Sequence, residues 1–217
     1  MFFTTVACGA GSAIAGVQTF AEQEVIIRRE RYSGASVSAY GIGRFLGDLI
    51  IVAWNGIVFA GVWTLLGASG AYFNWLAIYI SIAFVASGVG YCISLVTTSG
   101  NATMLVTIAM LAFSVFNGID PPIKDINKFP VVNWVWYLSF ATYVSNAVYI
   151  TYTGFIASSR DIQEAASNEF GFSVTNFGTC IGAMFGLGFL WRIIAILILE
   201  LKFANIKCCT TRCRRNK

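Results

Sequence analysis

Residues 22–48, EQEVIIRRERYSGASVSAYGIGRFLGD, decide how the rest of the chain is read. They form the only long charged segment in a very apolar sequence, and they separate one apolar run from several others. Arg28, Arg29 and Arg31 fall together, with Glu22, Glu24 and Glu30 interleaved. Of the 217 residues 57% are hydrophobic and 11% charged. A soluble domain carries about 25% charged residues, so this composition belongs to the membrane class. The predicted fold class is all-α: a polytopic membrane helix bundle of about five transmembrane helices. A cytosolic loop follows the first helix, and an outer loop of short re-entrant or interfacial helices precedes the last.

Crossing the hydrocarbon core takes about 20 apolar residues. Working outward from the charged loop (21–44), the runs that qualify are 2–20, 45–66, 75–97, 103–119 and 175–201, the last interrupted by Arg192. An outer loop (120–174) and a basic tail (202–217) complete a single domain, 1–217. Lys and Arg favour the cytosolic side. With the 21–44 loop placed there, the turn at Gly67–Asn74 is outside and the turn at Ser99–Ala102 inside. The 120–174 segment is then outside and the C-terminus cytosolic. Ten of the fourteen basic residues land inside, while the outer segments hold only Lys124, Lys128 and Arg160 beside five acidic residues. The sequon Asn101-Ala102-Thr103 then faces the cytosol and stays unmodified. A cleaved signal peptide over Met1–Ala21 is the rival, but it lacks a positive n-region and would turn the arginine cluster outward.

Within the outer segment, Val131–Phe155 is apolar yet dense in Trp and Tyr, including Trp134, Trp136, Tyr143 and Tyr152. Such rings favour the headgroup level, which predicts short helices dipping into the outer leaflet or packed over the spans. A sixth full span is the alternative, and it would send the basic tail outside. Asp120-Pro121-Pro122 supplies the stop after the fourth run.

The pattern excludes several chemistries. Histidine is absent, which removes the commonest metal ligand and general base. Of the six cysteines, Cys8, Cys92 and Cys180 read as small apolar packing. Cys208 and Cys209 beside the membrane exit are candidates for palmitoylation. The Cys208, Cys209, Cys213 spacing makes no zinc site. No phosphate-binding loop and no nucleophile–base motif occurs, so no catalytic residue, no metal ligand and no nucleic-acid partner is predicted.

Charges inside spans are costly and usually have a role. Arg44 and Asp48 are one helical turn apart, which predicts a structural charge pair at the entry to the second span. Arg192 needs a partner from another helix or must snorkel. Asn55, Ser87, Thr107 and Asn117 are the candidates to line a pathway. Gly182 and Gly186 have the spacing that lets helix backbones approach in lipid, as internal packing or as a subunit contact.

Arg29-Glu30, Ser33-Gly34, Ser36, Ala39-Tyr40, Arg44 and Asp48 read RExxSGxSxxAYxxxRxxxD. This resembles the cytosolic loop and following helix entry of the G subfamily (white/brown type) of ATP-binding cassette transporters. The resemblance extends through Gly88-x-Gly90-Tyr91, the aromatic outer loop and Trp191-Arg192, and so over nearly the whole chain. It implies an ABC-2 type transmembrane domain without the family's nucleotide-binding domain and first span. Glu22, Glu24, Arg28, Arg29, Glu30, Arg31, Tyr32, Ser33 and Gly34 would then couple to a nucleotide-binding domain. That domain, in the parent chain or a partner subunit, would hold ATP and Mg. A homo- or heterodimer in the plasma membrane, exporting lipids, sterols or xenobiotics, is implied with it. Two departures stand out: Leu49-Ile50 follows Asp48 where many relatives have proline, and the paired outer-loop cysteines of some relatives are missing. The alternative is a truncated, non-transporting membrane protein that scaffolds or regulates full-length transporters.

Overall fold

The structure is a computed structural model describing residues 2–21, 24–32, 34, 36–67, 71–97, 99–117, 135–156 and 177–214. The described residues are almost wholly helical: α1 (Phe2–Ala21), α2 (Glu24–Tyr32), α3 (Val37–Leu65), α4 (Tyr72–Val96), α5 (Ser99–Val115), α6 (Phe140–Ile156) and α7 (Phe177–Arg214). A further helical turn at 135–138 leads into α6. Most of the outer loop, 118–134 and 157–176, lies outside the described residues.

Three of these helices, α3, α4 and α7, are long and apolar enough to cross a membrane. Five crossings are expected from the sequence; α1, with 20 residues, is not among these three, and α5 is a shorter apolar helix. α3 begins eight residues before the predicted 45, because its first turns (VSAYGIGR) carry no proline and tolerate Gly41 and Gly43. α7 likewise runs past the apolar run to Arg214. At about 1.5 Å per residue it outreaches a bilayer of about 30 Å.

Two glycines in the left-handed region punctuate the chain. Gly34 (φ 95°) donates to Arg31 O at 3.1 Å and ends α2, which lets the chain turn into α3. Gly67 (φ 84°) donates to Thr64 O at 3.1 Å and ends α3 in the same way.

α4 is the axis of the bundle. Of its most apolar window 78% is buried, against 22% for α3 and for α7. Its middle, AFVASGVGYC, is rich in small residues, so neighbours can approach its backbone. Gly16 of α1 faces Ser87, where an added Cβ would stand 2.6 Å from the carbonyl oxygen; Gly90 of α4 faces the Ala13 carbonyl more closely still. Outward, α3 and α7 present Leu46, Ile50, Trp54, Phe189, Ile193 and Leu197. Such faces suit acyl chains rather than water.

Helix directions follow from paired contacts. Cys8 reaches Tyr79 and Gly16 meets Ser87, so α1 runs parallel to α4. Phe84 meets Phe185, and Lys202 bonds Leu95, so α7 is parallel to both. Trp63 packs on Trp75 and Phe45 on Tyr91, so α3 is antiparallel. α5 begins at the end where α4 finishes. Phe113, near its far end, meets Phe140 at the start of α6, while Tyr152 near the end of α6 packs on Trp75 at the start of α4. α6 therefore runs from beside α5 back toward the end of the bundle at which α4 starts, and the segment before it, 118–134, lies outside the described residues.

Two hydrophobic clusters stack along the axis. One joins Phe20, Ile27, Val37, Phe45, Leu95, Leu199 and Phe203, tying α2 to the ends of α1, α4 and α7. Lys202 Nζ donates to Leu95 O at 3.1 Å there, capping the negative end of α4. The other cluster fills the opposite end around Trp75, Tyr79, Met110, Phe140 and Met184.

Candidate functional site

Three features are organised well enough to act: a polar cluster in the core, an apolar cavity beside it, and the charged helix at the basic end.

The polar cluster begins with Asp48. A carboxylate half-buried among apolar helices requires donors. They come from other helices: Thr19 Oγ1 of α1 donates to Oδ2 at 2.6 Å, and Tyr91 OH of α4 donates to the same oxygen at 3.1 Å. The expected pairing with Arg44 is thus corrected. The two share a helix face, but the carboxylate turns inward to the hydroxyls, while Arg44 Nε is buried without a partner. Tyr91 is held by stacking on Phe45 at 4.7 Å and by the edge of Phe20 at 5.6 Å.

Arg192 lies on the far side of Tyr91 and is only 6% exposed. Nη1 donates to Phe84 O at 2.8 Å and to Gly188 O at 3.1 Å, and Nη2 donates to Ser87 Oγ at 2.8 Å. Its guanidinium lies over the Phe84 ring at 3.7 Å, with Tyr91 at 5.5 Å. The partner that Arg192 needed is α4, so it does not snorkel. Four helices thereby meet through one set of polar side chains, of which Thr19 carries no signal in the sequence.

Of the candidate pathway residues, Ser87 belongs to this cluster and Asn55 borders it, donating to Ser12 Oγ at 3.4 Å. Both line a small cavity with Asp48 and Tyr91. Asn117 lines a different cavity. Thr107 lines neither of the two, since its hydroxyl is taken by Thr103 O of its own helix at 2.9 Å.

The larger cavity, about 280 Å³, lies among α1, α5 and α6. Val6, Gly9, Met110, Phe140, Val144 and Val148 make most of its wall, with Asn117 and Ser145 among its few polar groups. Its shape depends on α6 being pinned to α5. Ser139 Oγ donates to Phe113 O at 3.1 Å, and Thr142 Oγ1 lies 2.9 Å from both Phe116 O and Trp136 O, between which its single hydrogen is shared; Phe113 O and Phe116 O are carbonyls that the end of α5 leaves without helical partners. Trp136 stands edge-on to Phe116 at 5.1 Å.

At the basic end α2 buries Ile27 and exposes Arg28, Arg29 and Tyr32, with Glu30 and Arg31 half-buried and Gly34 exposed beyond them. Glu22 and Ser33 lie outside the described residues, and for Glu24 only the backbone is described.

Residues 1–153 match the family described as ABC-2 type transporter. The chain is also 28% identical over 165 residues to "ABC-type transporter claG" of Penicillium crustosum, covering 76% of this chain and 22% of that protein. It therefore spans about a fifth of the length of this curated relative. With most of its length matched and a bundle of apolar helices, this integral membrane chain belongs to the ABC-2 type transporter family.

Proposed function

We propose that this chain is the membrane-spanning portion of an ATP-driven exporter of the G subfamily type, moving lipophilic substrates across the plasma membrane. The observation that carries this reading is the 280 Å³ cavity between α1, α5 and α6, walled mostly by apolar surface. A guest there exchanges acyl chains or water for hydrocarbon walls, which suits a lipid, a sterol or an apolar xenobiotic.

ATP and Mg would be handled by a nucleotide-binding unit in the parent chain or a partner subunit. Its contact would be α2, where Arg28, Arg29 and Tyr32 are presented outward. Ile27 roots α2 in the cluster formed by α1, α3, α4 and α7. A push on α2 therefore reaches the ends of four helices at once and can tilt them. A homo- or heterodimer, five crossings and a cytosolic C-terminus belong to the same reading.

The test is cavity filling. Met110→Trp places an indole in the cavity and should cut export of a fluorescent lipid analogue from proteoliposomes about tenfold or more. ATP hydrolysis by the assembled transporter should remain. Undiminished export by this variant would remove the cavity from the transport path.

A further inference from the structure

α7 does not stop where the bundle does. It is one helix from Phe177 to Arg214, and its last turns carry Lys202, Lys207, Cys208, Cys209, Arg212 and Cys213. The ends of the apolar helices α1 and α4 mark where the hydrocarbon stops at this end of the bundle. Lys202 bonds Leu95 O there, and Phe203 is buried in one cluster with Phe20 and Ile27. Cys208 follows Phe203 by five residues. At about 1.5 Å per residue that is roughly 8 Å along the axis. A headgroup layer is roughly 5–8 Å deep, so the backbone at Cys208 and Cys209 stands at its water-facing edge.

Helical register separates these two cysteines. For the last turns of α7 the backbone alone is described, and register is a property of the backbone. Leu190, Leu197 and Leu201 are exposed, on the outward stripe of α7 that also holds Phe189 and Ile193. Cys208 follows these three leucines by 18, 11 and seven residues. Those spacings are close to five, three and two whole turns, so Cys208 continues the stripe that suits acyl chains. Cys209 stands about 100° further round. It shares the register of Lys202, seven residues earlier, whose ammonium is turned to α4.

We propose that Cys208 is an S-acylation site, carrying a long-chain fatty acyl group. A cysteine just past a membrane helix, here flanked by Lys207 and Arg212, is the setting in which this modification occurs. The assignment rests on the cytosolic placement of this end in the function proposed above. In the reaction the Cys208 thiol attacks the carbonyl of a long-chain acyl-coenzyme A. A new C–S bond to Cys208 forms as the C–S bond to coenzyme A breaks, and the proton of the attacking thiol passes to the departing one. A membrane-embedded acyltransferase of the cell catalyses the transfer. The attached chain returns along the outward stripe into the inner leaflet. Together with Lys207 and Arg212 on anionic headgroups, it gives the tail two holds on the membrane. Since Phe203 and Ile27 share one cluster, a tail held in this way also steadies the end of α7 against α2.

The test is thioester mapping on the full chain expressed in a eukaryotic host. Free thiols are blocked in denaturant, thioesters are cleaved with neutral hydroxylamine, and the thiols released are tagged with a maleimide polymer that slows migration. The unaltered chain should give a band shift that requires hydroxylamine. Cys208→Ser should lose most of it, whereas Cys209→Ser and Cys213→Ser should keep it. No shift in the unaltered chain overturns the proposal, and so does a shift that survives Cys208→Ser or that Cys209→Ser removes equally. Lys217→Cys, in a background lacking the native cysteines, reports the topology separately. If a membrane-impermeant maleimide reaches it only after permeabilisation, a missing thioester counts against the acylation alone. Labelling on intact cells would instead remove the cytosolic placement, and the acylation with it.

Discussion

Arg192 shows what a single charge does in this bundle. It stands in mid-helix on α7, yet it satisfies two of its nitrogens on α4 and on its own preceding turn, and it stacks on Phe84. The planar, many-donor head is what the site uses. Arg192→Leu strips that away and leaves Phe84 O and Ser87 Oγ without the Arg192 donor. A buried polar group left unpaired costs about 1–3 kcal/mol. The expected outcome is a large fall in melting temperature in detergent, with Arg192→Lys falling less because the charge survives while the stack and the second nitrogen do not. Equal losses for the two variants would mean that charge plays no part. Spacing alone suggested that Asp48 would find Arg44, since the two share a face. Its hydroxyl donors, 29 and 43 residues away in sequence, depend on which helices touch, and no periodicity records that.

Among the elements, the long apolar helices were the most legible, because each is an apolar run broken at most by a single charge such as Asp48 or Arg192. Their ends were less so: α3 starts among polar residues whose helical state follows from the turn at Gly34 rather than from hydropathy. α6 was ambiguous for a physical reason. Its aromatic, hydroxyl-rich sequence suits both an interface and a full crossing, and what positions it is the carbonyl end of α5. Ser139 bonds Phe113 O, and Thr142 shares its hydrogen between Phe116 O and Trp136 O, which fixes α6 against α5. Removing both hydroxyls, in Ser139→Ala with Thr142→Val, leaves two carbonyls unpaired at a cost of about 1–3 kcal/mol each. Hydrogen exchange in 113–117 and across α6 should then rise, while α4 keeps its protection. Unchanged exchange in α6 would show that apolar packing alone holds it. Because α6 makes one wall of the larger cavity, the same variant is also expected to weaken binding of an apolar fluorophore there.

For the whole molecule the decisive property is which ends share a compartment. α1, α4 and α7 run one way and α3 and α5 the other, so the turn at Gly34 and the far end of α7 lie at the same end of the bundle. Charge agrees with geometry. Arg28, Arg29, Arg31 and Arg44 cluster at the end where Lys202 caps α4, and the turn at Gly67 on the opposite end carries no basic residue. Basic segments resist translocation, so this end is expected to face the cytosol. In a background lacking the native cysteines, a single cysteine at Arg29 should be silent to a membrane-impermeant maleimide on intact cells and react after permeabilisation. A cysteine at Leu66, exposed beside the opposite turn, should react on intact cells. The reverse pattern would invert the molecule and put α2 out of reach of any cytosolic nucleotide-binding unit. Labelling of both from one side would be worse for the fold, since α3 joins the two positions and would then not cross at all.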